Sequence, residues 1–233
     1  MVCDVGGHAQ QPTARTPGPS AERQEHGLQM AFWSCYALDK DHSLRSGQPP
    51  MLAANFCELA LPVVWTSLGQ GLSVETLQPE DFNCYLSRNP ALNMIKERVF
   101  HLLYSPQASG VSDSQLVLNM RHLDDELEQW RLSVPADLRP RLSVSADRPL
   151  VTPGTDNAHH KGWLDLQLEH LYILTAIHAA VRRAGANIGE NESLPDDLHS
   201  VIHSSVDITL EAGRSVLLFL KASMDILQED AFQ

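Results

Sequence analysis

Apolar residues recur along this chain at helical spacing and seldom at the two-residue spacing of a strand. In residues 28–44, Phe32, Trp33, Tyr36, Ala37 and Leu44 fall on one side of a helix, while Lys40, Asp41 and Arg45 fall mostly elsewhere. Ser46-Gly47 supplies a stop, and Pro49-Pro50 forbids continuation. Residues 53–88 are weakly periodic, and Pro62, Gly69, Gly71 and Pro79 predict loops with short helical turns. A second helix opens cleanly, with Asn89 placed to cap it and Pro90 suited to its first turn. Leu92, Ile95, Val99, Leu102 and Leu103 form its stripe. Ser112 and Gln115 then have capping-box spacing. Leu116, Met120, Leu123, Leu127, Trp130 and Val134 follow in alternating steps of four and three, a heptad-like seam suited to packing inside a bundle.

Residues 135–161 carry Pro135, Pro140, Pro149, Pro153 and Gly154, which predicts a long surface loop or an insertion without fixed structure. Residues 163–183 are apolar almost all round, from Leu164 to Val181, which places that helix centrally in a core. Gly185 reads as its stop. A last helical region opens at Ser193 or Pro195 and reaches about Leu227, with Asp196 and Asp197 in its first turn, where the helix dipole favours acids. No stretch reads as strand. The expectation is an all-α, multi-helix bundle over residues 29–233. Residues 1–28, rich in Gly, Pro, Gln and Ser, have too little apolar surface to offset ordering entropy and read as a disordered tail.

Composition changes this picture in a few respects. Seventeen basic against 29 acidic side chains give a formal charge of −12. That argues against a chain whose main task is gripping phosphates. Cys3, Cys35, Cys57 and Cys84 are widely spaced and form no CxxC pair, so reduced, structural thiols are expected. No apolar run is long enough for a membrane span, and the N-terminal residues lack the apolar core of a secretory signal.

Four segments, in order, resemble the middle homology region of fungal-specific transcription factors, the helical regulatory domain found downstream of a binuclear zinc cluster. "FWSCYALDKDHSLRSGQPP" is similar to that family's aromatic helix, aspartate and Gly-x-Pro-Pro turn. "IKERVFHLLYS" is similar to its helix ending in Leu-Tyr-Ser. "LDDELEQWRLSVPADLRP" is similar to its Leu-x-x-Trp and Pro-x-x-Leu segment. "LQLEHLYILTAIHAAVRR" resembles its central helix, and "SVDITLEAGRSVLLFLKA" is less specifically similar to the next one. The resemblance implies a regulator of transcription in the nucleus, acting through protein partners or a small-molecule effector; apart from the resemblance, a cytoplasmic location is expected. It leaves homodimerisation open. The family's zinc cluster needs six closely spaced cysteines. Here Cys3 stands apart and no basic helix follows it, so direct nucleic-acid binding is not expected. The chain is also shorter at its C-terminal end than that whole regulatory region. It therefore reads as a truncated regulatory domain, of the kind tied to secondary metabolism.

Other chemistry is weaker. Asp124, Asp125 and Glu128 have the Asp-Asp-x-x-Glu spacing that can hold magnesium for diphosphate chemistry. They flank the apolar seam, which favours a solvated helix face, and the last helix lacks a second acidic motif. His199 and His203 lie four apart without the glutamate or third ligand of a zinc site. His159-His160 falls in the Pro-rich stretch. Cys35, beside aromatics, reads as packed and inert. His170 and His178 lie on the central apolar helix and read first as satisfied core residues. If an interhelical pocket exists, they would join Trp33, Tyr36 and Tyr172 in lining it. No catalytic residue, metal ligand or cofactor site is assigned. The rival reading is a stand-alone cyclase or isomerase using such a pocket, and a third is a gene remnant without function.

Overall fold

The computed structural model describes residues 19–53, 89–136, 138–143, 157–184 and 196–231. Five α-helices run through these residues: α1 (Pro19–Ser46), α2 (Pro90–Val99), α3 (Asp113–Ser133), α4 (Asn157–Ala179) and α5 (Asp196–Ala231). No strand occurs among the described residues, so the fold is the all-α bundle that the periodicity implies. The readings placed on residues 54–88, on Gly185 and on Ser193-Pro195 lie outside the described residues.

Two helices are longer than their apolar stripes suggest. α1 begins at Pro19 rather than near residue 28. Its first turns are spelled Ala-Glu-Arg-Gln-Glu, strong helix formers that give no hydrophobic signal. α4 begins at Asn157, so His159 and His160 belong to a helix and not to the Pro-rich loop.

Local chemistry explains the ends. At the end of α1, Gly47 adopts φ 71°. This left-handed cap suits glycine because a Cβ would be strained there. Its N–H donates to the Ser43 carbonyl at 2.9 Å, and Ser43 Oγ donates to Gln48 O at 2.8 Å. Asn89 Oδ1 accepts from Leu92 N at 3.2 Å, capping α2 above Pro90. α2 passes into a π-helical turn, Phe100–Tyr104, closed by Ser105 N donating to Phe100 O at 2.8 Å. Ser112 Oγ accepts from Gln115 N at 3.3 Å. The Gln115 side chain does not complete a capping box; it donates to Asn119 Oδ1 at 2.9 Å. α4 tightens into a 3-10 turn, Ala180–Arg183.

The core joins all five helices. Phe32, Trp33 and Tyr36 from α1 meet Leu92, Ile95 and Val99 from α2, the whole α3 seam, and Leu166, Ile173 and Ile177 from α4. Leu198, Val201 and Ile202 of α5 pack against its edge. A second cluster, around Leu171, Ala212 and Phe219, seals α4 to α5. The described part of the Pro-rich stretch is tied down. Gln167, fully buried, donates to Arg141 O at 2.7 Å and accepts from Arg141 N at 2.9 Å. Ser215 Oγ donates to Leu142 O at 2.5 Å, and Arg131 Nη1 to Pro140 O at 3.2 Å. Residues 138–143 are thus held across α3, α4 and α5.

The seam makes a direct test. Leu127 is 1% exposed and Leu132, five residues on, is 51% exposed. Leu127→Ala should lower unfolding free energy by about 2–5 kcal/mol through lost burial and a residual cavity. Leu132→Ala should change it by no more than about 0.5 kcal/mol. Urea denaturation followed by circular dichroism measures both.

Candidate functional site

The most concentrated chemistry lies where α1, α2 and α4 meet. Tyr36 and Lys40 are one helical turn apart on α1, and both are buried against α2. The Tyr36 hydroxyl donates to Glu97 Oε2. Lys40 Nζ lies 3.7 Å from the same carboxylate and 4.2 Å from the Tyr36 ring centroid. It also donates to Asp39 Oδ2 at 2.8 Å and to the Leu52 carbonyl. Asp39 in turn accepts the N–H groups of Met51 at 2.9 Å and Leu52 at 3.0 Å. Beside this set, Lys96 pairs with Asp41 at 2.5 Å and with Glu169 of α4.

Lys40 therefore does not lie off the apolar face, as its charge suggests; it is 1% exposed, at the centre of the helix contact. A buried ammonium is tolerable only when paired and hydrogen-bonded, and here carboxylates, a carbonyl and an aromatic face all surround it. Burial alone would push the Asp39 carboxyl up. The Lys40 hydrogen bond and the two backbone amides outweigh that and hold it below the ordinary carboxylate range. The Glu169 carboxyl is pushed up by burial, against the opposing pull of Lys96.

A second constellation spans α3, α4 and α5. His178 Nδ1 lies 3.1 Å from Ser205 Oγ, and Nε2 lies 3.3 Å from Asp124 Oδ1. Serine, histidine and aspartate in one chain have the composition of a nucleophilic triad. Ser205 is 3% exposed, in the third turn of α5, so its hydroxyl is buried between helices and not presented at the surface. The arrangement satisfies a buried imidazole and ties three helices together. It also alters the reading of Asp-Asp-x-x-Glu. Asp125 and Glu128 are exposed, and Glu128 pairs with Arg131 at 2.6 Å, but Asp124 is half-buried and turned to His178. No group of three or more metal-ligating side chains occurs among the described residues.

The five residues assigned to a pocket distribute as follows. Trp33 and Tyr36 meet edge to face, centroids 5.4 Å apart, with Phe32 completing an aromatic trio. Tyr172 is half-buried, with the Arg45 guanidinium 5.2 Å above its ring. His178 is bound as described above. His170 stacks on Trp130, centroids 6.2 Å apart at 23°, and its buried Nδ1 has no hydrogen-bond partner. His170 thus departs from the expectation of a satisfied core histidine, whereas His178 meets it. Burial first, and Arg131 second, lower the His170 pKa to about 4. Outside this set, His199 and His203 are exposed neighbours, centroids 4.4 Å apart, and Cys35 carries a half-buried free thiol.

The pattern reading missed Lys40, Lys96, Glu97, Glu169 and Ser205. The signal was register. Lys40 follows Tyr36 at four residues on the apolar stripe of α1, and Lys96 follows Leu92 in the same way on α2. A charged residue in core register marks a buried pair rather than a solvated side chain.

With this geometry in place, the chain can be set beside known proteins. It is 35% identical over 128 residues to the ABC-transporter-regulating transcription factor of Aspergillus fumigatus, covering 52% of this chain and 13% of that protein. The protein of the same name from Aspergillus oryzae is 36% identical over 123 residues, with 52% and 13% covered. The terrein cluster-specific transcription factor terR of Aspergillus terreus is 27% identical over 118 residues, with 51% and 16% covered. No family model matches, and no solved structure does. In class, then, this is an all-α helical chain, and about half of it is homologous to a segment of fungal transcription factors. The chain spans only 13–16% of the length of these curated relatives.

Two predictions follow from the buried polar groups. Lys40→Met removes the buried cation that Glu97 and Asp39 share and should cost about 3–5 kcal/mol, the usual effect of breaking a buried ion pair. Chemical denaturation measures it. For His170, the folded-state value lies below the ordinary 6.5, so the unfolded chain takes up the proton first. Stability from this group is whole above about pH 6.5 and is lost as pH falls toward 4. His170→Leu should remove on the order of 3 kcal/mol of the stability change between pH 7 and pH 4. Urea midpoints for the two chains across that range supply the comparison.

Proposed function

We propose that this chain is a regulatory helical domain of the fungal transcription-factor type, acting in the nucleus through protein contacts or a small-molecule effector. The observation that carries this reading is the similarity of about half the chain to three proteins named as transcription factors. The structure adds a physical reason for the motif at the centre of the resemblance. In "YALDK…GQPP", Tyr36, Asp39 and Lys40 form the buried hub, and Gly47 makes the reversal that returns Met51 and Leu52 to Asp39. Those residue types therefore have a scaffold role, holding α1, its reversal and α2 together. Direct DNA contact forms no part of the proposal, because a net charge of −12 repels phosphates.

The test is transcriptional. Fused to an unrelated DNA-binding domain in a fungal reporter strain, the chain should change reporter output relative to that domain alone. Lys40→Met should abolish the change by unfolding the hub. A folded, nuclear fusion that leaves output at the control level refutes the proposal. In solution, the chain alone should leave the mobility of duplex DNA unchanged at physiological salt.

A further inference from the structure

α5 has two apolar faces. The inner one buries Ser205, Ala212, Ser215 and Phe219 against the rest of the molecule. On the outer one, Val206, Leu210, Leu217 and Leu220 are 42%, 66%, 69% and 45% exposed. Gly213, also exposed, completes the row. Together they form a stripe in alternating steps of four and three, the spacing that keeps one seam facing a second helix. Isolated exposed leucines are ordinary, but a continuous row is not.

The charges beside the stripe identify the occupant. Asp207, Arg214 and Lys221 recur every seven residues along one edge, and all three are exposed. The opposite edge carries Thr209 and Val216, which have no charge. In a parallel pair of these helices, the charged edge of one would face the uncharged edge of the other. In an antiparallel pair, the charged edges meet each other. With the two-fold axis crossing the stripe between Gly213 and Leu217, Leu210 faces Leu220 of the second copy, and Leu217 faces the recess at Gly213. A Cβ at Gly213 would meet nothing within 4 Å in the single chain, so the recess is open to receive a side chain. In the same register Asp207 meets Lys221 at both ends. Arg214 meets its own counterpart near the axis, and Glu211 on each helix, 3.3 Å away, offsets that repulsion.

We infer that the outer face of α5 is a homodimer interface in which two copies pair antiparallel about a two-fold axis. The same patch on both subunits is self-complementary, as an isologous contact requires. This inference goes beyond the regulatory reading and does not depend on it.

Sedimentation equilibrium of the full 233-residue chain tests it. A concentration-dependent dimer is expected. Leu217→Arg should raise the dimer Kd by ~100-fold. Because Leu217 is largely exposed, the helical circular dichroism should not change. Lys221→Asp should weaken the dimer by roughly tenfold, and adding Asp207→Lys to it should restore association. That rescue requires the antiparallel register. A chain that stays monomeric, or whose dimer ignores Leu217→Arg, overturns the inference, including the case in which another protein covers this face. Failure of the charge exchange to restore association overturns the register.

Discussion

Burying Lys40 is the constraint around which this bundle is arranged. An ammonium at 1% exposure would be very costly in an apolar interior, so every neighbouring element contributes something to it. α1 supplies Asp39 and the Tyr36 ring, α2 supplies Glu97, and the reversal after Gly47 supplies the Leu52 carbonyl. Lys96 repeats the arrangement one layer across, drawing on Asp41 and Glu169. Such pairs add less to net stability than their Coulomb energy suggests, because desolvation offsets most of it. Apolar contacts among Leu, Ile and Val tolerate sliding, whereas sliding α1 along α2 would carry the buried Lys40 ammonium away from Glu97.

The same logic recurs on the far side of the molecule. His178 engages Ser205 and Asp124 and so fixes α3, α4 and α5 against one another. Gln167 reads the backbone of Arg141 as a neighbouring strand would. Lys40, Lys96, Gln167 and His178 each lie at a junction of elements, where a misplaced helix would leave them unpaired.

The helices were legible because their apolar residues keep strict register. The α3 seam from Leu116 to Val134 is buried at every position that the spacing selects. Asn89, Pro90, Ser112 and Gly47 marked ends correctly because caps are local chemistry. The starts of α1 and α4 were not legible, since Ala-Glu-Arg-Gln and Asn-Ala-His-His carry no apolar stripe. The polar hub was misjudged for a different reason. Pattern analysis sorts residues by type, and a lysine in core register looks like an interruption of the stripe until its partners from α2 are known. Trp33 and Tyr36 lie together in one buried cluster and Tyr172 at its edge, but nothing in the sequence could show that His170 and His178, two turns apart, meet different surroundings.

The clamp between Asp39 and the amides of Met51 and Leu52 joins groups only 12 and 13 residues apart, whereas Tyr36 reaches Glu97 across 61. Closing a loop of about ten residues takes on the order of 10–100 ns. The helix end, the left-handed glycine and the two amide contacts can therefore assemble while the chain is otherwise open. Lys40 would then already hold Asp39 and the Leu52 carbonyl when α2 arrives. The long-range partners left for α2 to supply are Glu97, for Tyr36 and Lys40, and Lys96, for Asp41. The Gly-Gln-Pro-Pro reversal thus keeps this half of the hub local in sequence, so that only the contacts from α2 carry the entropy cost of closing a long loop.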